Sequence, residues 1–252
     1  MPDSINPMAV LCSLDCHHFQ VLHRVEGGAD TMIWKAVAGN TAAALRVFRP
    51  HQALGLKFEI EAMIMASAAG VPVPKIIATG SHNNLPCMLI EWIDGKSMLE
   101  ACYRESHLEP LSRSFGQISA QLHKRTARQD GTCLIHMDYH PLNAIAKKGQ
   151  IVGIIDWTNS QFGDPLQDVA RTVSLLICTP LVSRKDRNFA RTLRRIARHY
   201  LNGYGEVGDL RRHILEATRH LEEELQYHVC ENGLVAPAHA RRIISRWRKF
   251  NT

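Results

Sequence analysis

No run of about 18 apolar residues occurs anywhere in the 252-residue chain, so no segment could cross a bilayer as a helix. The opening Met1-Pro2-Asp3-Ser4 also lacks the basic and apolar blocks of a signal peptide. A cytoplasmic protein without a membrane partner is therefore expected. Cysteine lacks a framework: Cys12, Cys16, Cys87, Cys102, Cys133, Cys178 and Cys230 are odd in number and without disulfide spacing, which points to reduced thiols. Aromatic residues make up only 6% of the chain, too few for a surface that stacks on nucleic-acid bases. Internal repeats and low-complexity segments are missing as well.

The one cluster with metal-ligand chemistry, Cys12-Ser13-Leu14-Asp15-Cys16-His17-His18, lacks a second ligand pair at zinc-finger spacing. It is expected to be a partly ordered N-terminal segment leading into the first strand. The 14 histidines mostly stand singly among polar residues, as surface groups do.

A chain of this length can bury a sizeable core as one large domain or as two lobes. A change of character near residue 95 favours two, spanning 1–94 and 95–252. The first part holds short β-like runs at Phe19 to Val25, Met32 to Val37, Ala42 to Phe48 and Cys87 to Ile93, separated by Gly and Asn turns. They predict a small antiparallel sheet. One helix, from about Leu56 to Ala69, interrupts them, with Ile60, Met63, Ile64 and Ser67 on one face. Gly70-Val71-Pro72-Val73-Pro74 ends it.

The second part has the helical period. Leu111, Phe115, Ile118 and Leu122 share one helix face, Phe189, Leu193, Ile196 and Tyr200 another, and Leu210, Ile214, Leu221, Leu225 and Val229 a third. Its only β-like pieces are Ala144 to Ala146 and Ile151 to Ile155, joined by Lys147-Lys148-Gly149-Gln150 as a hairpin. The expected class is thus α+β, bilobal, with a small sheet and one helix ahead of a larger helical lobe.

Chemistry concentrates in Ile135-His136-Met137-Asp138-Tyr139-His140-Pro141-Leu142-Asn143 and, shortly after it, Ile154-Ile155-Asp156-Trp157. One carboxylate could receive the proton of an attacking hydroxyl. An amide oxygen and a second carboxylate could hold magnesium against nucleotide phosphates. Asp and Asn also cap turns, so the triplet alone decides little. Context adds weight: a helix ends at Leu122-His123 before the loop, the hairpin follows it, and Phe162-Gly163-Asp164-Pro165-Leu166-Gln167-Asp168 opens a further helix.

In these landmarks the chain resembles the aminoglycoside phosphotransferase family of small-molecule kinases, a branch of the protein-kinase-like fold. The resemblance runs from about Val21 to Arg171. His136 to Asn143 is similar to the family's catalytic loop, with Met137 and Leu142 where the family usually has Gly. Ile155-Asp156-Trp157 resembles the metal-binding strand end, and Gly163-Asp164-Pro165 the turn that follows it. The resemblance implies Asp138 as catalytic base, Asn143 and Asp156 on Mg2+, and ATP or GTP as cosubstrate. It also implies a nucleotide-covering turn at Gly27 and Gly28, although Gly-Gly between strands equally makes an ordinary hairpin.

Arg46 occupies the strand position where kinase-like folds place a basic residue on the phosphates. Arginine stays charged and can grip phosphate with two bonds. Its acidic partner is expected to be Glu59, eleven residues before Gly70 as in the family's usual spacing, rather than Glu61. Glu91, Trp92 and Ile93 resemble the hinge that meets the nucleotide base. His136 and His140 are expected to brace the loop.

Met137 in place of the Arg of a protein-kinase His-Arg-Asp, and no Ala-Pro-Glu after Asp156, favour a small hydroxyl acceptor over a protein. From Val169 to Thr252 the chain has 16 Lys and Arg against 8 Asp and Glu. That field would repel a polycation, so a neutral or anionic acceptor is expected. The same basic residues allow a non-catalytic scaffold with a nucleic-acid-binding surface, for which aromatic residues are too sparse. An atypical protein kinase is a further alternative.

Overall fold

In a computed structural model of the chain, residues 5–25, 31–182, 187–210 and 212–217 are described. Their first half is built on a five-stranded antiparallel sheet: β1 (Gln20–Val25), β2 (Met32–Ala38), β3 (Thr41–Val47), β4 (Ile76–His82) and β5 (Leu85–Glu91), in the order β1-β2-β3-β5-β4. Strand alternation divides β3 and β5 between two faces. Leu45, Val47, Cys87 and Leu89 pack with Trp34 under the helix α1 (Pro7–Ser13), whose Val10 and Leu11 are fully buried. Ala44, Met88 and Ile90 face the opposite way, toward α2 (Ala53–Ala68) and the rest of the chain. Arg46 pairs across the sheet with Met88 and shares that second face.

The second half packs α4 (Glu105–Arg125) against α6 (Arg187–Tyr204), and α5 (Pro165–Val182) against α6. Gly116 and Gly203 let α4 and α6 touch backbone to backbone: a Cβ on Gly116 would lie 2.0 Å from the Tyr200 carbonyl oxygen. Leu111, Phe115, Leu122, Phe189, Leu193, Ile196 and Tyr200 fill the interface and are all buried. A short α3 (Met98–Cys102) precedes α4, and residues 212–217 form one more helical turn.

Several expectations need correction. The N-terminal segment is the ordered helix α1, capped by the Asn6 side chain on the Met8 amide. Seven residues are too few to show a helical period. β4 was not expected, because its pattern does not alternate and it lies at the sheet edge, largely unburied. The hairpin, β8 (Ala144–Lys147) and β9 (Gln150–Ile154), is not the second half's only β structure: β6 (Lys96–Ser97) joins β8, and β7 (Cys133–Ile135) pairs with β10 (Gln161–Gly163). Two- and three-residue strands carry no period to detect.

On α2 the buried residues are Leu56, Glu59, Ala62, Met63 and Ala66, whereas Ile64 is 58% exposed. The helix is apolar on both sides, so periodicity cannot select its inner face. An ion pair at Glu59 accompanies the orientation it adopts. The expected helical face at Leu221, Leu225 and Val229 lies outside the described residues. Among the described residues no helix is long and apolar enough to cross a membrane. Cys12, Cys16, Cys87, Cys102 and Cys133 are free thiols.

Candidate active site

The buried β7 delivers the chain into the loop His136 to Asn143. Asp138 Oδ2 accepts from Asn143 Nδ2 at 3.0 Å and lies 3.4 Å from His140 Nε2. Asn143 Nδ2 also reaches the Asp138 carbonyl at 3.0 Å. With its nitrogen turned to Asp138, the Asn143 amide has its oxygen left as the atom that could ligate a cation. Burial would raise the Asp138 pKa, but the hydrogen bond and charge of His140, with His136 and Arg171 nearby, hold it below the ordinary carboxylate value. The carboxylate is thus ionised at neutral pH, about one quarter exposed, and able to receive a proton.

His136, fully buried, fixes this loop from beneath. Its Nδ1 accepts from the Asp138 amide at 3.3 Å, and its Nε2 donates to the Ile155 carbonyl at 3.2 Å. That pair of bonds requires the neutral imidazole with its proton on Nε2. Burial accordingly lowers its pKa despite the neighbouring Asp168, Asp138 and Asp156. The ring packs against Trp157 with centroids 4.6 Å apart, so one histidine ties the loop to the strand end that carries Asp156.

Asp168 and its partner His123 were given no role from the sequence. In the first turn of α5, its carboxylate accepts the His136 amide at 3.1 Å and the Met137 amide at 2.7 Å. His123 Nε2 stands 3.0 Å away, and His123 Nδ1 lies 2.9 Å from the Tyr204 hydroxyl. Burial opposes ionisation of Asp168, yet the His123 bond and charge, His136 and the Met137 amide keep its pKa below the ordinary value. Arg171 Nε donates to the Met137 carbonyl at 3.3 Å. These bonds hold Met137 at φ 62°, a left-handed conformation that suits glycine better.

Across the cleft, Arg46 on β3 forms an ion pair with Glu59 on α2, their side chains 9% and 0% exposed. The Arg46 guanidinium also lies 4.8 Å from the Phe48 ring centroid. Glu61, the alternative partner, is exposed. Thr158 Oγ1 is 3.2 Å from Glu59 Oε2 and 2.9 Å from Asp156 Oδ1. This hydroxyl, which sequence reasoning missed, links the ion pair to Asp156. Asp156 itself turns the chain at φ 63° just beyond β9, a conformation Asp tolerates better than most residues.

A cleft of about 640 Å³ gathers these groups: Arg46, Glu59, Asp138, Asn143 and Asp156 line it, together with Glu91, Trp92 and Ile93. Gly27 and Gly28 lie outside the described residues. The Glu91 amide donates to the Lys75 carbonyl at 2.8 Å and the Trp92 amide to the Ala42 carbonyl at 3.0 Å, so both serve the sheet. Asn143 and Asp156 provide hard oxygen donors suited to magnesium. Among the described residues no cluster of three His, Cys, Asp or Glu could hold a metal alone. Two protein donors are sufficient where a substrate's phosphates complete the shell, as magnesium commonly prefers.

A family model described as the phosphotransferase enzyme family matches residues 21–131 and 115–212. No curated protein sequence matches significantly. Among solved structures, a thermostable mutant of aminoglycoside phosphotransferase APH(4)-Ia in ternary complex with ADP and hygromycin B superposes with a TM-score of 0.69 at 12% identity, covering 95% of this chain and 96% of that one. APH(3'')-Id from Streptomyces rimosus gives 0.60 at 12% identity, over 84% and 95% of the two chains. Spectinomycin phosphotransferase APH(9)-Ia, in complex with ADP and spectinomycin, gives 0.59 at 12%, over 92% and 87%. At such identities the likeness is one of fold, and the fold is kinase-like.

Proposed function

The chain belongs to the phosphotransferase enzyme family, and from that premise we propose that it transfers the terminal phosphoryl group of ATP or GTP to a hydroxyl of a small acceptor. The observation that carries this reading is the convergence on one cleft of Asp138 with Asn143 and of Arg46 with Glu59 and Asp156. Residues 1–94 would form the nucleotide lobe with its hinge, and 95–252 the catalytic and acceptor lobe. The relatives solved with ADP or AMP-PNP support a nucleotide in this cleft.

Asp138 would accept or orient the proton of the attacking hydroxyl, while Asn143 keeps its carboxylate aimed into the cleft. Such general-base action contributes roughly 10²–10⁴ in rate. Arg46, steadied by Glu59, would grip phosphate oxygens. Asn143 and Asp156 would hold Mg2+, which when bound supplies positive charge against the phosphates. Since the amides of Glu91 and Trp92 serve the sheet, contact with the base would fall chiefly to the Ile93 end of the hinge. Gly27 and Gly28 would cover the phosphates.

The acceptor would not be a polycation of the aminoglycoside kind. The excess of Lys and Arg after Val169 supports a neutral or anionic compound, and α6 puts Arg191, Arg194 and Arg198 on its exposed face. The test is nucleotide turnover with magnesium over a panel of hydroxyl metabolites and antibiotics, comparing wild type with Asp138→Asn. The variant is expected to lose about 10²–10⁴ in kcat at unchanged nucleotide affinity. If wild type neither binds nor turns over magnesium nucleotide with any acceptor, the kinase assignment is wrong.

A further inference from the structure

Thr158 stands between two carboxylates with different tasks. One hydroxyl carries one proton, so it can donate fully to Glu59 Oε2 or to Asp156 Oδ1 but not to both. The distances, 3.2 Å and 2.9 Å, favour Asp156. Glu59 is completely buried and its other oxygen already engages Arg46, so Oε2 depends on this hydroxyl for a donor from across the cleft. Asp156 is exposed and can be solvated instead.

We infer that Thr158 is a positioning residue that couples cation binding at Asp156 to the Arg46–Glu59 pair. A cation on the Asp156 carboxylate satisfies it and leaves the Thr158 proton to Glu59. The added bond anchors Glu59 on α2 and steadies Arg46 where phosphate would lie. The coupling is reciprocal, as linkage demands: phosphate on Arg46 strengthens the cation site by the same factor that the cation strengthens phosphate binding. The link joins residues 99 positions apart in the chain, from one side of the cleft to the other. Valine at this position would keep the shape and remove the proton. Serine would keep the proton.

This inference rests on the nucleotide-site reading above, and the experiment separates the two. ADP and a non-hydrolysable triphosphate analogue are titrated calorimetrically into wild type, Thr158→Val and Thr158→Ser, each with Mg2+ and with chelator. Wild type is expected to bind the analogue more tightly with Mg2+. Thr158→Val should lose about tenfold of that gain, within the usual range of coupling between sites, with little change in chelator. Thr158→Ser should restore it. Thr158 is exposed, and unchanged thermal unfolding of the valine variant checks that folding is intact. A Thr158→Val protein that keeps the whole magnesium gain overturns the coupling. A wild type with no magnesium gain overturns the nucleotide site and the coupling together.

Discussion

The two walls of the cleft are held in opposite ways. The loop His136 to Asn143 is braced by a network of bonds around one buried carboxylate: Asp168 takes the His136 and Met137 amides and His123, and His136 adds bonds to Asp138 and Ile155. The facing wall depends on one ion pair and one shared hydroxyl, Arg46 with Glu59 and Thr158. The contrast separates two requirements of transfer chemistry. On the proposed function Asp138 would be a base, which must sit within hydrogen-bond reach of its proton, and its loop is over-determined. Groups that grip a ligand can complete their geometry when it arrives.

The largest expected effect breaks this comparison if it fails. Asp168→Ala would leave one buried and one part-buried backbone donor, and His123, without their acceptor, a loss of about 3–5 kcal/mol. Arg46→Met combined with Glu59→Leu removes both charges of the facing wall at once. Such paired apolar replacement is often neutral or even stabilising, so stability should stay within about 1–2 kcal/mol of wild type while nucleotide binding is lost. Urea unfolding and nucleotide titration of the two proteins decide the matter. Equal destabilisation would mean that the facing wall is as much a structural brace as the loop.

Which wall was legible in the sequence follows from the same contrast. Asp138, Asn143 and Asp156 could be selected because each lies in a local pattern of strand ends and turns, and Arg46 because the resemblance implies a basic residue on its strand. Glu59 could be chosen over Glu61 by its distance from Gly70, and the structure has it buried on Arg46. Asp168 was not chosen: in sequence it is an acidic residue in the first turn of a helix, a favourable place for any carboxylate. Its partners lie up to 45 residues upstream, and only the packing of α4, β7 and α5 brings them together. Thr158 was hidden likewise, since only the closure of one wall on the other sets it against Glu59. For α1, a usable signal existed in Asn6-Pro7, a cap followed by proline at the first helical position.

The braced wall should also be the acid-sensitive one. His136 is neutral in the fold with a lowered pKa, so below the ordinary histidine value the unfolded chain binds a proton that the native chain refuses. Stability is then fully present above about pH 6.5 and falls as pH drops below it, by at most about 1.4 kcal/mol per pH unit for one proton. Asp168 and Asp138, also lowered, act in the same direction at the lower pH of carboxylate titration. Chemical unfolding at pH 7.5, 6.5 and 5.5 measures the slope. His136→Asn should flatten it over this interval. An unchanged slope in the variant would assign the proton to another of the 14 histidines.

The smallest effect sharpens the comparison most finely, because it asks whether the loop's bonds hold a strained residue. Met137 sits at φ 62°, where a glycine would be relaxed. A non-glycine residue there costs about 1–2 kcal/mol. Replacing it with glycine gains most of that and loses about 0.5–1 kcal/mol to the greater freedom of the unfolded chain. Loss of the partly buried methionine side chain takes back part of the remainder. The net for Met137→Gly is expected at about 0 to +0.5 kcal/mol of added stability, whereas Met137→Val, β-branched and disfavoured at this φ, should lose at least about 1 kcal/mol. Unfolding midpoints of the two variants check it. If valine is tolerated as well as glycine, the Asp168 and Arg171 bonds do not hold the loop in the left-handed turn, and the loop is as adjustable as the wall it faces.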